Sequence, residues 1–137
     1  MSRLLVAALA LALLLGTALA FRKQKLHVKG RLYCGKDVAT NVLVKLYDHD
    51  TGPDPDDLLE SGYTDSRGYF DLSGDTRELT NIDGVLNIYH DCHDYGRPCQ
   101  RKWAFEIPDK YINKGPFDIG VLNLEVEPEG EERDCLH

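Results

Sequence analysis

The stretch Asn87-Ile88-Tyr89-His90-Asp91-Cys92-His93-Asp94-Tyr95-Gly96-Arg97-Pro98-Cys99-Gln100-Arg101-Lys102 decides how this chain folds. On the way in, Leu86, Ile88 and His90 alternate with Asn87, Tyr89 and Asp91, the period of two that sends successive side chains to opposite faces of a strand. On the way out, Trp103, Phe105 and Ile107 alternate in the same manner until Pro108, which has no amide proton to give a ladder. Gly96 and Pro98 allow a tight reversal between the two runs. The stretch therefore reads as two strands joined by a loop that carries Cys92 and Cys99.

Working outward, the same period recurs upstream. From Lys25, one face collects Leu26, Val28, Leu32 and Cys34, with Gly30 between, and the other collects His27, Lys29, Arg31 and Tyr33. Gly35-Lys36-Asp37 turns the chain, and Val42 to Tyr47 forms a second strand burying Val42, Val44 and Leu46. Leu58 to Thr64 is a short third strand. Asp65-Ser66-Arg67-Gly68 is a turn, and Tyr69 to Gly74 returns with Phe70 and Leu72 inward. Ile82 is the apolar plug of an otherwise polar stretch. Downstream, Asp109 to Asn113 is one helical turn or an extended bend. Asp118 to Val126 is the last strand, and the acidic tail from Glu127 reads as mobile up to Cys135. No segment sustains a helical period and no repeat is visible. Seven short, turn-punctuated strands make an all-β sandwich of one domain the natural solution.

The ends of the chain set its compartment. Arg3 precedes a Leu/Ala run from Leu4 to Leu15, and Ala18-Leu19-Ala20 places small residues where signal peptidase accepts them. No charge lies between Arg3 and Arg22, and about 20 apolar residues can span a bilayer. The Gly16-Thr17 break and the Ala-x-Ala ending favour cleavage, giving a signal peptide over 1–20 and a secreted domain over 21–137. A formal net charge of −7 repels nucleic acid and anionic membrane at long range, with Phe21-Arg22-Lys23-Gln24-Lys25 a local basic exception. Four cysteines in a secreted chain read as two disulfides, for which three connectivities are open. The closeness of Cys92 and Cys99 favours that pair, which leaves Cys34 for Cys135.

In order along the chain stand Gly30-x-Leu32-x-Cys34, Val44-Lys45-Leu46-Tyr47-Asp48, Asp56-Asp57-Leu58, Thr64-Asp65-Ser66-x-Gly68, Phe70-x-Leu72-x-Gly74 and Ile88-Tyr89-His90-Asp91-Cys92. Cys99-Gln100-Arg101-Lys102, Ile107-Pro108, Tyr111-Ile112, Asp118-Ile119-Gly120 and Leu122-Asn123-Leu124 follow. Together they resemble the nematode transthyretin-like family over nearly all of the secreted part. The resemblance implies a transthyretin-like (prealbumin-like) β-sandwich of seven to eight strands and an extracellular binding or signalling role. The related hydroxyisourate hydrolases end in Tyr-Arg-Gly-Ser, whereas this chain ends Glu131-Glu132-Arg133-Asp134-Cys135-Leu136-His137, which sets that activity aside.

The remaining chemistry is weighed residue by residue. His90, Asp91, Cys92, His93 and Cys99 have zinc-ligand chemistry, but an oxidised pair of cysteines offers no thiolate, so no metal or cofactor is expected there. His90, on the Leu86 and Ile88 face, reads as a hydrogen-bonded core histidine. Asp48, Asp50, Asp54, Asp56 and Asp57 offer oxygen ligands for weak calcium binding, without the spacing of an EF-hand. Calcium there would let an acidic protein bridge to anionic lipid. Ser61, Thr64, Ser66 and Ser73 sit in strands and turns without a nucleophile elbow, so no enzyme is expected. Tyr95, Arg97 and Arg101 have the residue types that dominate protein recognition. The expected function is a secreted, non-catalytic binding protein acting as adaptor or signal on an extracellular protein or cell surface. The alternative is a carrier of a small apolar ligand or lipid.

Overall fold

A computed structural model of the chain describes residues 2–20, 22–50 and 56–137, the side chains of 15–20 left aside. The Leu/Ala run is helix α1 (Ser2–Ala20), whose Leu4, Leu5, Leu9 and Leu13 are exposed. Among the described residues no helix is long and apolar enough to cross a membrane.

From there the chain is almost wholly β, in two sheets. The first is centred on β1 (Arg22–Cys34), which pairs antiparallel with the two-residue β2 (Asp37–Val38) and with β5 (Tyr69–Glu78), and parallel with β8 (Phe117–Asn123). The second runs β4 (Asp57–Tyr63), β3 (Leu43–Asp48), β6 (Gly84–His90), β7 (Gln100–Glu106), β9 (Glu132–Asp134), antiparallel throughout. A single 3-10 turn, Asp109–Tyr111, lies in the connection from β7 to the parallel strand β8. The sheets pack as a β-sandwich.

Alternation decides which face goes inside. Leu26, Val28, Leu32, Phe70 and Leu72 from the first sheet meet Val44, Leu46, Leu86, Ile88 and Trp103 from the second, all buried in one core with Ile82, Ile107 and Leu124. Fully burying each of these side chains stabilises the fold by about 1.5–3 kcal/mol. Gly68 closes the turn before β5 at φ +82, and a Cβ there would lie 2.5 Å from the Leu32 carbonyl oxygen. Gly30 lets Ile119 of β8 approach, since a Cβ at that position would sit 2.5 Å from Ile119 Cγ1.

Two expectations change. The acidic tail is not loose up to Cys135: Glu132–Asp134 pairs with β7, in the register Gln100↔Asp134, Arg101↔Arg133, Lys102↔Glu132. Those three residues are all charged, so hydrophobic period carries no signal for the strand. It is placed by the free edge of β7, which would otherwise present unpaired amides. β1 and β5 are also longer than the apolar pattern suggests, pairing out to Arg22↔Glu78 through polar residues. Side chains reinforce that end. Gln24, fully buried, donates to the Thr80 carbonyl at 2.8 Å and accepts from the Ile82 amide at 2.9 Å.

Candidate functional site

Beyond its ladder the loop between β6 and β7 keeps Cys92 and Asp94 buried and carries its tip out into solvent. Tyr95 at its tip is 88% exposed, the neighbouring Arg97 is exposed, and His93 contacts Glu125 at 3.1 Å. His93, Tyr95, Gly96 and Cys99 all adopt positive φ, of 49°, 54°, 73° and 67°. Three non-glycine residues in the left-handed region within one short loop is a strained arrangement that its surroundings must hold in place. They do so from below. Buried Asp94 accepts from the Gly96 amide at 3.1 Å and faces Arg133 at 3.7 Å. Its carboxyl titrates below the usual range, through a hydrogen bond shared with Asp91 and then the Gly96 amide and the Arg133 and Arg101 charges. Gln100 donates to Asp91 at 2.8 Å, and Arg133 donates to the Cys99 carbonyl at 3.0 Å.

The four cysteines do form two disulfides, but the pairing of Cys92 with Cys99 and of Cys34 with Cys135 is overturned. Cys92 joins Cys34 at the end of β1, and Cys99 joins Cys135 in the tail. The β6–β7 register, with His90 opposite Arg101, extrapolates to Cys92 opposite Cys99. The ladder stops short of them, however. Cys92 turns into the core, while Cys99 at φ +67 is carried off the ladder toward the tail beside β9. Each end of the loop is thus tied to a separate element. With no free cysteine, and with both sulfurs near His93 already bonded to each other, that cluster offers no thiolate to a metal.

Arg101 does not belong to the exposed loop surface. It is 1% exposed, and its guanidinium is surrounded by acceptors. Nε donates to Glu131 Oε1 at 2.7 Å, and Nη1 to the carbonyls of Cys92 at 2.6 Å and Leu124 at 2.8 Å. Nη2 reaches the Val126 carbonyl at 2.8 Å and Glu131 Oε1 at 2.7 Å. The Trp103 indole donates to the same carboxylate oxygen at 2.7 Å. Burial pushes the Glu131 carboxyl up, and the Arg101 and Trp103 hydrogen bonds outweigh it and hold the carboxyl below its ordinary value. One arginine therefore joins the loop, the end of β8 and the tail. The register had signalled its burial, since Arg101 shares a face with Trp103 and Phe105.

His90 is the core histidine that alternation implies. It is 3% exposed, accepts the Cys92 amide at Nδ1 (3.1 Å) and stands edge-on to Trp103 at 5.7 Å. Burial, with the Arg101 charge beside it, pushes its pKa down to about 4. It is neutral at physiological pH.

Of the acidic loop, Asp48, Asp50 and Asp57 bring carboxylate oxygens within 4.8 Å of one another. Asp48 is buried and accepts the Asp83 amide at 2.9 Å. Asp56 turns away to His49, at 3.0 Å, and Asp54 lies outside the described residues. Nearby Glu78 is pushed up by burial and by the charges of Asp48, Asp57 and Asp50. The Thr64 hydroxyl is engaged structurally, donating to the Ala39 carbonyl at 2.6 Å and accepting the Val42 amide at 2.9 Å.

Comparison with known proteins adds the lineage. Residues 29–108 match a family model described as TTR-52, Transthyretin-like family. Transthyretin-like protein 33 of Caenorhabditis elegans is 52% identical over 119 residues, covering 83% of this chain and 83% of that protein. Transthyretin-like protein 46 of the same organism is 53% identical over 129 residues, covering 90% and 72%. Transthyretin-like protein 5 is 51% identical over 125 residues, covering 88% and 90%.

Proposed function

Because this chain belongs to the transthyretin-like family, we propose that it is a secreted, non-catalytic binding domain that recognises an extracellular protein or cell-surface component through its β6–β7 loop. The supporting observation is the exposed Tyr95 beside Arg97, on a strained loop held by a disulfide at each end and by the buried Asp94 beneath it. An aromatic and an arginine fixed in advance lose little entropy on binding. Secretion follows from the leader read over 1–20, with the binding domain spanning 21–137. The carrier reading has less support between the sheets, where Leu26, Val28, Val44, Leu46, Leu86 and Ile88 already fill the space. A small ligand would have to use an outer surface.

The test is binding of the purified oxidised domain to extracellular proteins and intact cell surfaces, with Tyr95→Ala/Arg97→Ala as comparison. Both side chains are solvent-facing, so the double variant keeps its unfolding midpoint. Saturable binding should weaken by at least about tenfold, the loss of one hot-spot contact. Unchanged affinity in the folded variant rules the loop out.

A further inference from the structure

The outer face of the first sheet carries a cluster that the loop does not account for. Arg31 alternates with buried Gly30 and Leu32 on β1, so its side chain lies on that face. Tyr69 of β5 is directly across from it on one side and Val121 of β8 on the other. The Arg31 guanidinium stands 5.0 Å from the centre of the Tyr33 ring and 4.6 Å from that of Tyr69. Arg67, in the turn before β5, lies over the same Tyr69 ring at 5.5 Å, and its carbonyl accepts from Arg31 Nε at 2.8 Å. Two aromatic rings and a backbone carbonyl thus fix a half-buried arginine. Its two terminal nitrogens are left over. Neither has a hydrogen-bond partner among the described residues, and neither is closed off from solvent.

The charge there is not answered either. Among the described residues neither Arg31 nor Arg67 has an ion-pair partner. Both charges act on the Asp65 carboxylate, but that is one anion against two cations, and the oxygen it offers accepts the Arg67 and Tyr69 amides, both at 2.9 Å. Beside the arginines the surface is apolar. Val121 is 67% exposed and Tyr69 41%. Gly120, next to Val121, adds no side chain, and a Cβ there would meet nothing within 4 Å. With Arg31 these residues border a hollow of about 290 Å³.

The extent of the patch selects the partner. A chain of formal net charge −7 draws few anions at long range, so what binds here must be held by contact. The face is no track for a long polyanion. Farther along β1, His27 meets Asp71 at 2.6 Å and Lys23 meets Asp75 at 3.8 Å, so those cations are already answered. What stays open is short: an anchored guanidinium, a second arginine and an apolar hollow. Arginine and tyrosine dominate protein recognition, and a side chain fixed in advance loses little entropy on binding.

We propose that this patch is an interaction surface for a short acidic segment of another extracellular protein. A carboxylate of the partner accepts from the open nitrogens of Arg31, Arg67 adds its charge, and an apolar neighbour covers Tyr69 and Val121. The patch uses none of the β6–β7 loop residues, so it stands or falls independently of the recognition proposal above.

The experiment is an NMR titration of the oxidised, isotope-labelled secreted protein at neutral pH with three probes. They are the peptide acetyl-Asp-Glu-Leu-Phe-amide, its neutral counterpart acetyl-Asn-Gln-Leu-Phe-amide, and a heparin tetrasaccharide. The acidic peptide should shift the amides of Arg31, Tyr69 and Val121 saturably, with the neutral peptide at least about fivefold weaker. Arg31→Gln should weaken the acidic peptide by about tenfold and bring it level with the neutral one. Because Arg31 also packs on two tyrosines, Val121→Asp is the companion. It sets a like charge beside the hollow from an exposed position, keeps the fold, and should weaken the acidic peptide by at least about fivefold. The proposal is overturned by no saturable shift, by equal binding of the two peptides, by acidic-peptide binding that survives both variants, or by the tetrasaccharide binding the same residues more tightly than the peptide.

Discussion

Replacing Glu131 by glutamine tests whether the arginine behind the loop organises the tail. The side chains are nearly isosteric, so the change removes a charge and little volume. In the native protein Arg101, 1% exposed, meets Glu131, 16% exposed, through Nε and Nη2, both at 2.7 Å. Breaking a buried ion pair from one side costs about 3–5 kcal/mol, because the surviving charge is left in a poor solvent. Three backbone carbonyls still hold the guanidinium, at 2.6–2.8 Å, and a glutamine oxygen in the place of Oε1 still accepts from Arg101 and Trp103. The lower end applies, about 3 kcal/mol. The assay is guanidinium unfolding with disulfides intact, comparing midpoints at unchanged slope. A loss below about 1 kcal/mol would mean that the pair behaves like a surface salt bridge, and the reasoning would be wrong.

Two further outcomes follow. His90 has a folded pKa lowered to about 4 from an unfolded 6.5, so the unfolded chain binds the extra proton between those values. Its contribution to stability is whole above the unfolded pKa and is lost as pH falls toward the folded one, by up to about 3 kcal/mol. Unfolding measured from pH 7 to pH 4 should show this slope in the wild type and a shallower one in His90→Gln; equal slopes would contradict it. For the acidic loop, Asp57→Asn in chelator should leave the protein slightly more stable, by about 0.5 kcal/mol, since it removes one of the like charges around Glu78. Millimolar calcium should raise the melting temperature of the wild type and have less effect on the variant. A calcium response equal in both would remove Asp57 from any such site.

Much of the fold was legible because burial imposes a period. The inner faces of β1, β3, β5 and β7, the plug at Ile82 and the buried state of His90 all follow from alternation with apolar neighbours. Asp48 and Arg101 obey the same rule, falling in register with Leu46 and Trp103, yet their charge argues for the surface until their partners are known. Those partners, the Asp83 amide and three backbone carbonyls with Glu131, lie 9 to 35 residues away along the chain and leave no local signal. β9 was not legible for the same reason, since Glu132-Arg133-Asp134 has no apolar period and is fixed by β7 and Cys135. The disulfides show the limit of spacing. Short separation favours Cys92 with Cys99, but pairing needs side chains that face each other, and a left-handed Cys99 turns its own away.

The binding account depends on a loop whose two cysteines are anchored to different elements, and one measurement tests that most directly. The protein, secreted from eukaryotic cells, is digested under non-reducing conditions at low pH, and the cross-linked peptides are identified by mass spectrometry. The account predicts peptides joining Cys34 to Cys92 and Cys99 to Cys135, with each pair separating on reduction. A peptide closed on itself by Cys92 and Cys99 would contradict it: the loop would then be a self-contained ring, and neither β1 nor the tail would hold Tyr95 in place.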